Sequence, residues 1–565
     1  VVPMNTGKIK SYDLIRKILE KRNLIENCDI EKFTNPNFLD FRNPFDFENM
    51  DKIIDKILEV HKQNGKIFIY GDYDVDGISG TAFLVRFFSE INYDVDYYIP
   101  NRSENEYGVS RENIDFFKKR NGKLIITVDT GYNTIDDVKY ARSLGMDIIV
   151  TDHHKTIKES FDDEILYLNP KLSQNYKFKN LSGAGVAFKL AQGICIRLNL
   201  DMELIYKYLD IVMIGTIADV VPMVDENRII IKNGLKIIKN TSVKGLSYLL
   251  NYLRLNKKEM TTTDVSYYIS PLINSLGRVG ISKVGADFFI KEDDFDLYNI
   301  IEDMKSLNKE RRNLEKIIYD DAMKKIQKIG LDNEKIPILI LSSPKWHSGV
   351  IGVVSSRLSL KYHKPVILIA FEGEYGKASC RSVANISIFN LLSEAKHLLI
   401  RYGGHDLAAG FVIHKDKLND LKEYLVKNTP LIPLSNKILL DRDNESLIKY
   451  DFEVSIDEID SEIFKFIDMM GPFGSHNPHV LFFSKNVKFS AIKTFGVDSR
   501  HFNGEVRKNG IKYNVVGFDL SEKINEKSYE DLEYDIVYYP EKIVLKDLEV
   551  VQIVLKDIII KNKKI

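Results

Sequence analysis

Cysteine is scarce. The chain has three in 565 residues, Cys28, Cys195 and Cys380, too far apart to form paired ligand spacings, which argues against a disulfide scaffold and against a zinc ribbon. Tryptophan occurs once, at Trp346. No apolar run approaches the roughly 20 residues a membrane span needs, and the opening VVPMNTGKIKSYD has no signal-peptide hydrophobic region, so the expectation is a cytoplasmic protein without a membrane partner. Neither sign of charge dominates: 80 Lys and Arg stand against 81 Asp and Glu, a net charge of -1. Composition therefore neither demands nor excludes nucleic acid, because phosphate affinity comes from locally placed Lys and Arg. Solenoid-period repeats and low-complexity tracts are missing as well, apart from a short basic tail, KNKKI.

What is present is an ordinary globular composition, 44% hydrophobic and 28% charged, in a chain too long for one core. At roughly 150 residues per domain, three or four domains are expected. From about Lys66, apolar runs alternate with helical patterns: KIFIYG, YDVDYYI, KLIITVD and DIIVTD read as strands, with GISGTAFLVRFFSEI as a helix between the first two. That rhythm predicts a parallel, doubly wound α/β sheet, in which ligands bind at the carboxyl ends of the strands. Residues 299 to 329 contain no Gly or Pro and carry helically spaced apolar residues, which predicts a long connector helix. A second α/β unit starts at IPILILSS and ends near Thr429, where TPLIPLSN marks a boundary by its prolines. Beyond it, short alternating strands such as IKYNVVGFD and YDIVYYP predict a small β-barrel. The expected divisions are an N-terminal segment at 1–50, a first α/β domain at 51–240, a helical connector region at 241–330, a second α/β domain at 331–430 and the barrel at 431–565.

Four segments carry chemistry. Asp72, Asp74 and Asp76 stand where the first strand meets its helix; Asp129 ends the third strand; Asp152, His153 and His154 end the fourth; Asp219 follows the apolar helix of GTIAD. Alone, the first could be a solvated acidic turn or a calcium loop, and the last a helix C-terminal turn. Grouped behind successive strands, they predict one site. Oxygen and imidazole ligands without thiolates suit Mn²⁺ or Mg²⁺, and a multi-carboxylate set can hold two ions roughly 3.5 to 4 Å apart, which suits phosphodiester hydrolysis.

In this order the segments resemble the DHH phosphoesterases. DYDVDG, VDTG, DHH and GTIAD are similar to the four amino-terminal motifs of that superfamily, and Arg401-Tyr402-Gly403-Gly404-His405 to the GGH element of its associated domain. The resemblance implies Asp72, Asp74, Asp76, Asp129, His153 and Asp219 as metal ligands. It also implies His154 as a contact to the scissile phosphate, so that Asp129 and His154 are the catalytic residues, and it places Gly403, Gly404 and His405 at the substrate phosphate. Within the superfamily, the run Trp346-His347-Ser348-Gly349 through Arg357-Leu358 resembles a RecJ signature. The segments around Arg102, Arg278, Ser379 and Arg381 are similar to places where RecJ proteins bind a 5′-terminal phosphate. After Arg102 the chain departs from the pattern, with Ser103-Glu104-Asn105-Glu106-Tyr107-Gly108 in place of a glutamate-glycine-tyrosine-glycine run. Gly471-Pro472-Phe473-Gly474-Ser475-His476-Asn477-Pro478 is similar to the RecJ stretch that leads into an OB-fold, the expected identity of the barrel.

The resemblance implies a 5′ to 3′ exonuclease acting on single-stranded DNA in repair and recombination, with two Mn²⁺ or Mg²⁺ ions. It implies a RecQ-type helicase and single-strand-binding protein as partners. Trp346, His347, Arg357, Lys493 and Arg500, with Phe495, His501 and Arg507, are the candidate strand contacts. A nano-RNase or small-nucleotide phosphodiesterase would share the metal cluster without needing the barrel, and an inactive DHH-fold replication scaffold would have lost some acids. All candidate ligands precede about Asn436, so the barrel is expected to be separable from the chemistry.

Overall fold

The run KIFIYG forms β1 (Lys66–Gly71), in which every residue after Lys66 is buried. With β2 (Val95–Tyr98), β3 (Gly122–Val128), β4 (Asp147–Thr151) and β5 (Leu166–Leu168) it makes a parallel sheet of order β2-β1-β3-β4-β5. Parallel sheets are buried on both faces. Helices Met50–Lys62, Val75–Glu90 and Gly183–Leu198 cover one face, with Leu209–Ala218 packed behind them, and Arg111–Lys119 with Ile135–Ser143 cover the other. Strand β5 had no sequence signature, since three residues are too few for a period to show. The computed structural model describes residues 11–560 apart from 23, 25–29, 101–108, 132–134, 155–164, 257–258, 280–281, 331–335, 384–385, 432–448, 497–498, 525–528, 531 and 546–547.

Three sequence expectations are revised by packing. Region 241–330 is no independent connector: Leu246, Leu249, Ile269, Ile273 and Phe288 belong to the same core as the parallel sheet. Within that region the 36-residue helix Asp294–Ile329 bridges the first and second domains. Its first half gives Ile300, Ile301 and Met304 to the first core, while Ile318, Tyr319, Ala322 and Ile326 enter the core of the second domain. The N-terminal segment 1–50 is no unit either. Leu14, Ile15, Ile18, Leu19 and Phe33 pack into the barrel's core, whereas Phe47 joins the first domain. The barrel is therefore interlocked with the chain's beginning, and cutting at about Asn436 would strip apolar partners from Ser11–Lys21.

In the second domain, β6 (Leu339–Ser343), β7 (Val366–Glu372), β8 (Tyr375–Arg381), β9 (Arg401–His405) and β10 (Ala408–His414) form a mixed sheet of order β6-β7-β8-β10-β9. Strand β9, the GGH segment, is its exposed edge. In the C-terminal region β11 (Phe452–Glu453) flanks β12 (Phe482–Phe495), β13 (His501–Lys508), β14 (Ile511–Gly517), β15 (Tyr534–Leu545) and β16 (Leu548–Ile560). The order β12-β13-β14-β16-β15 closes through β12–β15 pairing into a five-stranded barrel. Among the described residues no helix is long and apolar enough to cross a membrane.

Candidate metal centre and phosphate pocket

The ligand candidates leave the sheet at its carboxyl ends. Asp72 follows β1, Asp129 follows β3, and Asp152, His153 and His154 follow β4. The amides of Asp72 and Asp129 still donate across the ladder, to the carbonyls of Val128 and Thr151, each at 3.1 Å. The acids are thus rooted in neighbouring strands spaced roughly 4.8 Å apart, which is why they converge. Asp74 caps helix Val75–Glu90, its carboxylate accepting from the amides of Asp76 (2.9 Å) and Gly77 (3.2 Å). Asp76, in the first turn, accepts from the amides of Gly183 (2.6 Å) and Ala184 (2.9 Å), where helix Gly183–Leu198 begins. Asp219 stands immediately after helix Leu209–Ala218.

The result is one cluster. His153 Nε2 lies 3.1 Å from Asp129 Oδ1, 3.5 Å from Asp219 Oδ2 and 3.9 Å from Asp76 Oδ2. His154 Nδ1 lies 2.8 Å from Asp152 Oδ1 and 3.7 Å from Asp129 Oδ1. Three triads bring their ligand atoms within 4.8 Å: Asp129, His153 and His154; Asp76, His153 and Asp219; and Asp72, Asp74 and Asp129. All six ligand candidates and His154 are brought together, with Asp129 shared by two triads. The backbone yields to make this possible. Asp129 adopts a left-handed φ of 62°, a conformation that strained functional positions retain when their surroundings hold them. A Cβ at Gly183 would come 2.5 Å from Asp129 Cβ, and one at Gly215 2.8 Å from Asp76 Oδ1; only glycine lets those helices approach the carboxylates.

So many acids in a buried site repel one another. Burial, then the charge of Asp74, pushes Asp76 up to about 7; burial, then Asp76 and Asp74, pushes Asp219 up to about 8. Asp129 rises well above the carboxylate range through burial and the charges of Asp76, Asp74 and Asp219. His153 is pushed down to about 3 by burial and by the neighbouring His154, so it is a neutral imidazole. For His154, burial is outweighed by the hydrogen bond to Asp152 and the charges of Asp152, Asp219 and Asp72, which raise it to about 9. Asp152 is wholly buried, yet its hydrogen bond from His154 and the charges of both histidines hold it below the carboxylate range. Asp129 Oδ1 and both ring nitrogens of His153 are buried without a hydrogen-bond partner. Unpartnered ligand atoms, neutral imidazole and mutually repelling carboxylates fit a pair of divalent cations.

A pH dependence follows with a definite sign. Asp76 and Asp219 keep protons in the metal-free fold up to about 7 and about 8, whereas unfolded carboxyls lose theirs near 3.8. Between those values the folded state binds more protons, so metal-free stability falls as pH rises through the window. Cation binding must expel the same protons. Mn²⁺ affinity is expected to strengthen from pH 6 to pH 8.5, with proton release at pH 7 visible by calorimetry in buffers of different ionisation enthalpy. Affinity that is flat across this range would contradict the carboxylate assignment.

Around the cluster, the cleft beside Asp74 and Asp76 is also lined by Tyr73, Ala218, Asn274 and Gly277. The GGH edge faces it: the His405 ring lies parallel to that of His154 at 6.4 Å. Gly404 has φ of +134°, and a Cβ there would fall 2.4 Å from Ala409 Cα, while nothing would meet one at Gly403. In β8, Arg381 Nε donates to Ser356 Oγ at 2.9 Å and Nη1 to the Cys380 carbonyl at 2.8 Å. Ser379 and Arg381 both lie against Gly352 in the first turn of helix Ile351–Tyr362, where the positive end of the helix dipole favours anions. Arg278 stands on helix Ser270–Val279 next to Gly277, with its side chain outside the described residues, as is all of Arg102.

The strand-contact candidates divide. Trp346 is corrected: at 4% exposure, with its indole N–H donating to Asp321 Oδ2 at 2.9 Å, it is a core residue of the second domain and has no face for a base. Arg357 stacks 3.8 Å over the ring of Tyr319 on the connector helix. His347 is exposed, its Nδ1 accepting from the Gly349 amide. Arg500 pairs with Asp519 at 3.0 Å, and Lys493 and Arg507 are exposed on the barrel. Phe495, His501 and Phe518 form a ring cluster there, with Phe495 37% and Phe518 54% exposed. Sequence reasoning missed the amides of Gly183 and Ala184 as the partners of Asp76, although Ser182-Gly183-Ala184-Gly185 opening an apolar helix was a capping signal. It also missed Asp152 as the group that orients His154.

Comparison with known proteins places these parts in context. Residues 66–216 match the DHH family, N-terminal domain; residues 335–428 the DHHA1 domain; and residues 450–557 the RecJ OB domain. The chain is 31% identical over 519 residues to the single-stranded-DNA-specific exonuclease RecJ of Bacillus subtilis, covering 92% of this chain and 64% of that protein. It is 27% identical to the RecJ of Haemophilus influenzae, covering 93% of this chain and 92% of that one. The chain thus spans just under two thirds of the Bacillus relative's length. A crystal structure of exonuclease RecJ bound to manganese is 31% identical with a TM-score of 0.60, covering 68% of this chain and 96% of that one. RecJ from Thermus thermophilus in complex with Mn²⁺ shares the fold over 97% of this chain and 75% of that one, with a TM-score of 0.78 at 24% identity.

Proposed function

Since the chain belongs to the RecJ family, we propose that it is a metal-dependent exonuclease that degrades single-stranded DNA from the 5′ end to 5′-mononucleotides. One observation carries the reading: a carboxylate and histidine cluster in the first domain faces the GGH edge of the second, with His154 and His405 at 6.4 Å. Asp72, Asp74, Asp76, Asp129, His153 and Asp219 would hold two cations, Mn²⁺ or Mg²⁺. When bound, these supply the Lewis acidity that activates water and neutralises charge developing on the phosphate oxygens. The chain's own residues do the rest. Asp152 keeps His154 protonated and fixes its ring, so that a positive N–H is available to a non-bridging phosphate oxygen. Arg381, Ser379 and the first turn of helix Ile351–Tyr362, with Arg102 and Arg278, would hold the 5′-terminal phosphate and so set direction.

A nano-RNase would not need a barrel interlocked with the catalytic core, and an inactive scaffold would not need seven converging site residues. The reading implies a RecQ-type helicase and single-strand-binding protein as partners, and a cytoplasmic location. The test is digestion of a long 5′-phosphorylated single strand, labelled at either end in turn, beside a dinucleotide, with Mn²⁺ and with EDTA. Mononucleotides released from the 5′ end only, and only with metal, are expected. Preference for the dinucleotide would favour the nano-RNase reading, and inactivity on both the scaffold.

A further inference from the structure

The loop 471–477, which the chemistry above does not use, is gripped by the catalytic domain. Arg228, on helix Asp225–Ile237, is 1% exposed, yet burial is what sets its ionisation, with no carboxylate contributing, and pushes it down to about 9. It is therefore a buried cation at neutral pH. Among the described residues its guanidinium donates to backbone carbonyls alone: Phe33 at 2.6 Å, Met469 and Met470 at 3.2 Å, Pro472 at 3.4 Å, and Gly471. Phe33 lies in the last turn of helix Ile30–Thr34, and Met469 and Met470 in that of Ser461–Met470. Unsatisfied carbonyls at helix C-termini carry partial negative charge, so two helix ends replace the missing carboxylate.

Two further grips reinforce the first. The Met223 amide donates to the Ser475 carbonyl at 2.9 Å, and Thr262 Oγ1 to that of Phe473 at 2.6 Å. On its other side the loop is held by wholly buried Asn477, whose Nδ2 donates to the carbonyls of Met470 and Pro472, each at 2.9 Å. Strand β12 of the barrel begins five residues later, at Phe482. We propose that Arg228 is a positioning residue for long strands: by clamping this loop it fixes the barrel at one register relative to the metal centre, so that a strand held by the barrel presents its end to the cations. This rests on the single-strand exonuclease reading. The physical gain is effective concentration, since a tethered end reaches its site far more often when the tether is fixed at the matching distance.

The test uses the full chain with Arg228→Lys, Arg228→Met and, should the latter fail to fold, the milder Thr262→Val. Lysine keeps the charge but cannot span the carbonyl fan. For a long 5′-phosphorylated strand, KM is expected to rise about fivefold, more in Met than in Lys, while kcat on a trinucleotide and Mn²⁺ affinity stay within about twofold of wild type. Hydrogen exchange should accelerate in 471–477 and stay unchanged in β1 and β3. Constants for long and short substrates that move together, Mn²⁺ affinity that falls with them, or unchanged exchange and KM in every variant would each overturn the proposal. A wild-type chain inactive on all strands would instead count against the exonuclease reading, while the exchange measurement would still decide whether Arg228 holds the loop.

Discussion

Asp129→Asn should reduce kcat on single strands by on the order of a thousandfold, because losing the proposed shared ligand would remove several kcal/mol of transition-state stabilisation. Asparagine keeps the shape of the side chain, so the left-handed backbone and the close approach of Gly183 are preserved, and the loss is one of charge. The carboxylate belongs to two of the three ligand triads and lies 3.1 Å from His153, so both cations should be affected. Strand binding, which the proposed function assigns to the barrel and the phosphate pocket, should change little. The measurements are single-turnover rates, equilibrium binding of a labelled strand and Mn²⁺ titration, each on the folded variant. Near-normal turnover with Asn at this position would remove the two-cation assignment.

Arg381→Ala should abolish the distinction between 5′-phosphorylated and 5′-hydroxyl strands. The guanidinium is held half-buried by Ser356 and the Cys380 carbonyl, beside the first turn of helix Ile351–Tyr362. Charge-assisted hydrogen bonds of about 1.5 to 3 kcal/mol would be lost, raising KM for the phosphorylated strand roughly tenfold to a hundredfold while the hydroxyl strand is little affected. Two cations see a similar phosphodiester from either end, so polarity must come from a separate terminal pocket. Initial rates against concentration, with the label at each end in turn, check both points. An unchanged preference for the 5′ phosphate would place the end-binding site elsewhere.

The residues that reached the site from strand ends were legible beforehand because a parallel sheet leaves little freedom: Asp72, Asp129 and His153 must emerge at one edge when their strands are neighbours. Asp219 was legible for the weaker reason that its helix is largely apolar and must return across the core. Trp346 went the other way. Its place in a motif said nothing about exposure, and burial with a hydrogen bond to Asp321, 25 residues earlier in the chain, settled its role. Strand β5 and the revised connector share one cause, since short elements and helix faces reveal their partners only when packed.

By itself, then, the sequence determined the parallel sheet, the long helix, the closed barrel and which acids and histidines gather at the strand ends, all of which follow from local periodicity or from motifs anchored to strand ends. Tertiary structure alone decided the ionisation of the cluster, because burial and the mutual charges of Asp74, Asp76, Asp129 and Asp219 act through space across some 145 residues of chain. It likewise decided that the chain's beginning packs into the barrel and that Arg228 is buried against carbonyls from two other segments. Contacts between distant segments depend on which faces meet, and no local pattern encodes the partner.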